Sequence, residues 1–125
     1  MIVKKLSDIV NTERDVDWGN GRSRRFLIEK DNVGYSVTDT IINEGSESLL
    51  EYKNHIESCY CIEGHGEIES DGVVYPLSPD TIYCLNNNDK HYLRAKTKMR
   101  LICFFSPALK GHESHQLNSD GSSSY

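Results

Sequence analysis

The sequence predicts an all-β fold, a single antiparallel barrel or sandwich. Three observations predict it. Short runs rich in Val, Ile, Tyr, Phe and Thr recur along the chain, turn residues divide them at near-regular intervals, and helical periodicity is almost absent. At 125 residues the chain has room for one domain with a modest core and too little for two.

Taken in order, residues 6–11 form the one expected helical turn, with Ser7 or Asp8 able to cap it. Strands are expected over 25–29, 34–42, 48–53, 56–62, 66–69, 73–77, 81–85, 91–95 and 99–105. Between them lie Asp31-Asn32, Asn43-Glu44-Gly45, Glu63-Gly64, Asp71-Gly72, Ser78-Pro79-Asp80 and the polar stretch 86–89, all turn chemistry. The domain is expected to span 1–115. Residues 116–125, with Gly121 and the serines 122–124, have almost nothing to bury and are expected to be a mobile polar tail unless a ligand or partner orders them.

Charge narrows the function. Lys plus Arg is 14 and Asp plus Glu is 19, a formal net charge of −5, and no basic face is clustered. That argues against phosphate-backbone binding as the main task, so no nucleic acid is expected. The densest apolar run, 101–105, is far short of a membrane span, and the start Met1-Ile2-Val3-Lys4-Lys5 leads into no apolar signal region. A cytoplasmic protein without a membrane partner is the expectation. Cys59, Cys61, Cys84 and Cys103 form no CxxC pair and lie among apolar residues, so they are expected to be buried, reduced fillers.

The chemistry concentrates in two segments. Gly45 to Gly64 has the spacing of G-x5-H-x-H-x3-E-x6-G, with Gly45, Glu57 and Gly64 in place and Glu51 and Lys53 in the histidine slots. Gly72 to Asn87 has the spacing of G-x5-P-x-G-x2-H-x3-N, with Gly72 and Asn87 kept, Ser78 and Asp80 in the proline and glycine slots, and Tyr83 in the histidine slot. Both spacings resemble the paired cupin signatures, which implies a small β-barrel of jelly-roll type. Alternation along a strand puts Glu57, Cys59 and Cys61 on one face and Ile56, Tyr60 and Ile62 on the other, and both faces are expected to be buried. A buried lone carboxylate is costly unless something pairs with it. A metal ion is one solution; a solvated strand end, Lys53 or an arginine is the other.

Further stretches extend the likeness: Met1 to Leu6, Asp31 to Ser36, Tyr52 to Glu57, the HYLRAKT strand within 90–100, and Gly111 to His115. With these the chain resembles the ectoine synthase family over most of 1–115. That resemblance implies a homodimeric, iron-binding cupin acting on a small molecule. Its reaction closes N-γ-acetyl-L-2,4-diaminobutyrate to the compatible solute ectoine with loss of water. It implies Glu57, Tyr83 and His91 as ligands to Fe2+. It also implies a substrate pocket of Arg25, Thr40, Tyr52, Cys103, Phe105 and Glu113, with Tyr52, Glu113 and His115 as catalytic groups.

Each residue also has an ordinary reading. A buried Tyr83 hydroxyl usually finds a polar partner, the Arg22-Ser23-Arg24-Arg25 run can be a solvated basic turn, and His55 is a neighbour of Glu57 rather than a ligand. The chain also departs from the family pattern. Gly21 stands where Trp is usual, while Trp18 precedes Ser23 by five; Thr38 replaces Asn, Glu51 replaces His, and 116–119 replace an acidic end. These departures keep open a cupin lyase on a related amide and a non-enzymatic small-molecule-binding cupin. A metal-dependent oxygenase is disfavoured, since only His91 of five histidines has an aligned ligand role.

Overall fold

The structure, a computed structural model, describes residues 1–86 and 89–114. The tail 116–125, His115 and Asn87 of the second signature lie outside the described residues. Ten strands follow one another: β1 (Asp15–Asp17), β2 (Gly21–Leu27), β3 (Ser36–Ile42), β4 (Glu47–Leu50), β5 (Ile56–Glu63), β6 (Gly66–Ser70), β7 (Val73–Leu77), β8 (Ile82–Leu85), β9 (His91–Ala95) and β10 (Met99–Ser106). They form a six-stranded sheet, β1-β2-β3-β10-β5-β8, and a four-stranded sheet, β4-β9-β6-β7, all paired antiparallel. Among the described residues, no helix is long and apolar enough to cross a membrane.

Nine of these strands coincide with the runs expected from composition. β1 was not expected, and β2 begins four residues early because the basic run is strand rather than turn. Opposite charge makes that possible. Arg22 pairs with Asp15 across β1 and β2 at 3.0 Å, and Arg24 pairs with the buried Asp39 of β3 at 2.7 Å. Arg100 on β10 reaches the same Asp39 at 2.6 Å, so one carboxylate ties three neighbouring strands. The helical turn shortens to a single 3-10 turn, Leu6–Asp8, where the Asp8 carboxylate accepts the Lys5 amide at 2.8 Å.

The core fills the space between the sheets. Cys59 and Cys61 of β5, Met99, Leu101, Cys103 and Phe105 of β10, and Leu93 and Ala95 of β9 are all buried. Alternation supplies these inward residues, but two expectations fail on the other face. Ile56 is 42% exposed and Tyr60 36%, so the second face of β5 points outward instead of into a core. Cys84 is exposed too, being paired with Ser58 on that outward face. A two-layer sandwich buries one face of each sheet, and among the described residues nothing covers this one.

Candidate active site

Neighbouring rungs of the large sheet assemble the inner wall. Tyr83 of β8, Cys59 of β5, Cys103 of β10, Thr38 of β3 and Arg25 of β2 face one another in successive register pairs. One rung along, Leu85, Glu57, Phe105 and Ser36 do the same, and on the other side lie Cys61, Leu101, Thr40 and Ser23. Side chains two apart therefore present Glu57 with Cys59, and Cys103 with Phe105, to the same interior.

A small cavity of about 20 Å³ opens there, and six of the residues implied by resemblance line it: Thr40, Tyr52, Glu57, Tyr83, Cys103 and Phe105. Trp18, Ser23 and Cys59 line it as well. Trp18 is instructive. A Cβ on Gly21 would lie 1.8 Å from the Ile41 carbonyl oxygen, so no side chain fits at that slot. The indole arrives instead from Trp18, 3% exposed, whose Nε1–H donates to the Ile41 carbonyl at 3.0 Å. Spacing alone left open whether a shifted loop restores the indole; a close approach of β2 to β3 puts it inside.

Glu57 is 4% exposed, and its Oε1 has no hydrogen-bond partner. Burial pushes its carboxyl up to about 7, against weaker anion-favouring contacts from Cys59, Tyr52 and Cys103. Neither Lys53 nor an arginine forms a salt bridge to it among the described residues. Tyr83 is raised well above the usual phenol range by burial first, then by the nearby Cys59 and Glu57.

His91 comes from the opposite sheet, opposite Leu50 on β4 and Ser70 on β6. It is 1% exposed, and burial lowers its pKa, favouring the neutral ring. Its Nδ1 lies 2.9 Å from the Asp89 carbonyl, which fixes the proton on Nδ1 and leaves Nε2 as a lone-pair donor. That Nε2 is buried without a hydrogen-bond partner. The ring packs edge-on to Tyr52 with centroids 5.7 Å apart, so Tyr52 links His91 to the cavity. Buried acceptors without partners are what a cation would satisfy, so the donors present fit a metal. A further group of possible ligands, Glu57, Cys59 and Cys103, has all its donor atoms within 4.8 Å of one another.

Arg25 and Glu113 are absent from this cavity lining and meet behind it. Arg25 is fully buried, donates to the Glu113 backbone carbonyl and to Ser23 Oγ, and stands 3.7 Å from the Glu113 carboxylate. Burial raises the Glu113 pKa, but the amides of Lys110, Gly111 and Glu113 and the charge of Arg25 outweigh it and leave it lowered. His55 is turned the same way, 2.7 Å from the Pro107 carbonyl and 3.8 Å from Glu113. It holds the segment after β10 and packs edge-on against Phe105, ring centroids 6.0 Å apart. His115 lies outside the described residues.

The model of a family described as ectoine synthase matches residues 1–124. An L-ectoine synthase from Oceanobacillus iheyensis is 58% identical over 117 residues, covering 92% of this chain and 91% of its own. The chain belongs to the ectoine synthase family. A crystal structure of ectoine synthase from P. lautus superposes with a TM-score of 0.85 at 51% identity, covering 89% of this chain and 81% of that one. A cupin 2 conserved barrel protein from Salinispora arenicola superposes at 0.68 with 16% identity over 85% of this chain and 88% of its own, a likeness of fold alone. This member of the family is thus a cupin, as its two glycine-framed signatures imply.

Proposed function

We propose that this chain is a cyclodehydratase, a hydro-lyase that closes N-γ-acetyl-L-2,4-diaminobutyrate to L-ectoine, working in the cytoplasm. The observation that carries it is the meeting, in one cavity, of six residues that the resemblance implies. In the reaction the free α-amine attacks the acetamide carbonyl carbon. The carbonyl oxygen leaves as water, taking both amine protons, and a C=N bond remains in the six-membered ring.

Glu57, Tyr83 and His91 are the residues that would hold Fe2+. Carboxylate, phenolate and imidazole suit a hard to borderline cation. When bound, that ion supplies Lewis acidity to the carbonyl oxygen. The chain's own part is positioning. The cavity is lined by Phe105 and Leu101 on one side and by the hydroxyls of Thr40 and Tyr52, which donate hydrogen bonds to the folded substrate. Holding amine and carbonyl together turns the attack into a near-attack geometry and excludes competing water. Arg25, behind the lining, acts on the pocket through its pairing with Glu113, and Cys103 packs against the acetamide. Glu113 and His115 take and return the amine protons; the amides and Arg25 around Glu113 keep its carboxylate ionised, hence able to accept.

The partner we propose is a second copy of the chain. Ile56, Tyr60, Ile82 and Phe104 lie exposed on the outward face of the large sheet, an apolar surface that a homodimer would cover. Sedimentation tests that dimer. For the reaction, iron-loaded protein is incubated with N-γ-acetyl-L-2,4-diaminobutyrate and followed by NMR. Ectoine signals are expected; no cyclic product from metal-replete protein overturns the assignment in favour of a related amide.

A further inference from the structure

We propose that the cavity wall carries a second, sulfur-containing donor set, Glu57, Cys59 and Cys103, which takes a thiophilic divalent cation of the zinc class and excludes ferrous iron by occupying Glu57. This rests on the reading of the cavity as a metal centre and deepens it, because one carboxylate then serves two donor sets of different softness.

The geometry is specific. Cys59 and Cys103 are direct cross-strand partners on β5 and β10, both facing inward. Their Sγ atoms lie 3.2 Å apart, and the Glu57 carboxylate completes a group whose donor atoms all fall within 4.8 Å. Cys59 is 1% exposed, Cys103 3% and Glu57 4%, so no surface chelation is involved. Core packing accounts for two small thiols that satisfy each other. It does not account for a carboxylate oxygen without a hydrogen-bond partner placed beside them.

A tetrahedral ion with sulfur at about 2.3 Å sets its two sulfurs roughly 3.8 Å apart, so the thiols part by about half an ångström. Small χ1 rotations supply that. Coordination breaks two S–H bonds and forms two metal–thiolate bonds, and both protons leave to solvent, with no change of oxidation state. Three protein donors leave one tetrahedral position open toward the cavity. Softness separates the two sets: thiolates select zinc-class ions, whereas carboxylate, phenolate and imidazole accept ferrous iron. Since Glu57 belongs to both, the two ions cannot be held in full together.

The test uses cobalt(II) as a spectroscopic probe on reduced, metal-stripped protein. A strong near-ultraviolet sulfur-to-cobalt charge-transfer band is expected, bleached by an equimolar amount of zinc. Cys59→Val, close in volume, should abolish the band and weaken zinc binding by about tenfold or more while ferrous iron content persists. Cobalt bound without that band, or a band surviving in Cys59→Val, overturns the proposal. The unsubstituted protein's spectrum is decisive by itself, so a folding defect in the variant does not shelter the idea. The two readings also fail separately: ectoine formed by the ferrous protein with no cobalt–sulfur band defeats only the second donor set. A cobalt–sulfur band in a protein that makes no ectoine supports the donor set and defeats only the reaction.

Discussion

Arg25 and Glu113 stand 88 residues apart in the chain and form a buried pair. The guanidinium bonds the glutamate's backbone carbonyl and lies 3.7 Å from its carboxylate. The pair stitches β2 to the segment that follows β10. The buried Leu109 amide, donating to Ser36 Oγ at 2.7 Å, and the Glu29 amide, donating to the Leu109 carbonyl at 2.7 Å, fasten the same segment.

Removing the cation should therefore be costly. Arg25→Ala leaves a buried carboxylate without its counter-charge, a loss of about 3–5 kcal/mol and a fall in Tm of roughly 10–20 °C for a domain this size. Arg25→Lys keeps the charge and loses the planar fork, so it should lie between. Thermal melts of the three proteins check the order. A melting point unchanged in Arg25→Ala means that the pair contributes little to stability.

Gly21 offers a second, spectroscopic prediction. A methyl group there collides with the Ile41 carbonyl and crowds Trp18 Nε1 at 3.1 Å. Gly21→Ala should cost about 1–3 kcal/mol as β2 is pushed off β3. Trp18 is the sole tryptophan of the chain, so its emission reports the event directly. A red shift with a lowered melting point is expected, and an unshifted spectrum counts against the contact.

What composition and spacing made legible follows a physical divide. Strand positions came through because side-chain alternation and turn chemistry are local properties, and β5 through β10 follow them closely. Glu57 and Tyr83 were placed by spacing, since a fixed number of residues between glycine turns fixes the register. The rest is long-range. Arg24 and Arg25 read equally as a solvated turn or a substrate clamp until Asp39 and Glu113, both distant in sequence, neutralise them. Ile56 and Tyr60 look like core because an apolar side chain cannot tell which sheet face is covered. Trp18 enters the cavity through a backbone approach that no spacing rule encodes. Cys59 had a signal, its place two residues after Glu57, but its partner Cys103 lies on another strand.

Acid stability should depend on Asp31. The paired hydrogen bonds from Arg14, at 2.8 and 3.0 Å, are the main reason its carboxyl is held at about 2; burial opposes them, and the Ile28 amide and Lys4 assist. The folded value is below the ordinary 3.8, so the ionised form is favoured by folding. Its contribution is present in full above the unfolded pKa and disappears as the pH falls through the folded one, a window from about 4 down to 2. The amount is about 2 kcal/mol for a side chain 12% exposed. Asp31→Asn should lower stability at neutral pH and make the loss between pH 4 and 2 shallower than in the unsubstituted protein. Urea midpoints across that range measure it; parallel curves would rule the pair out.

The ferrous donor set makes the most demanding prediction, because its members come from two sheets. Glu57 and Tyr83 sit on β5 and β8 of the large sheet, whereas His91 is fixed on β9 of the small one by the Asp89 carbonyl at its Nδ1. An ion shared by these three would cross-link the layers, so binding should raise the melting temperature as well as enable turnover. Glu57→Ala, Tyr83→Ala and His91→Ala should each lower bound iron and abolish that rise while the metal-free barrel stays folded. The metal-free Glu57→Ala protein should even gain stability at pH 8, where the native carboxylate, raised to about 7, is charged and buried with its Oε1 unpartnered. Iron content by elemental analysis and paired melts with and without ferrous salt decide the matter. Full iron occupancy in all three variants would mean that the ion is held elsewhere and that the two orphaned atoms, Glu57 Oε1 and His91 Nε2, are a cost of the fold with no return.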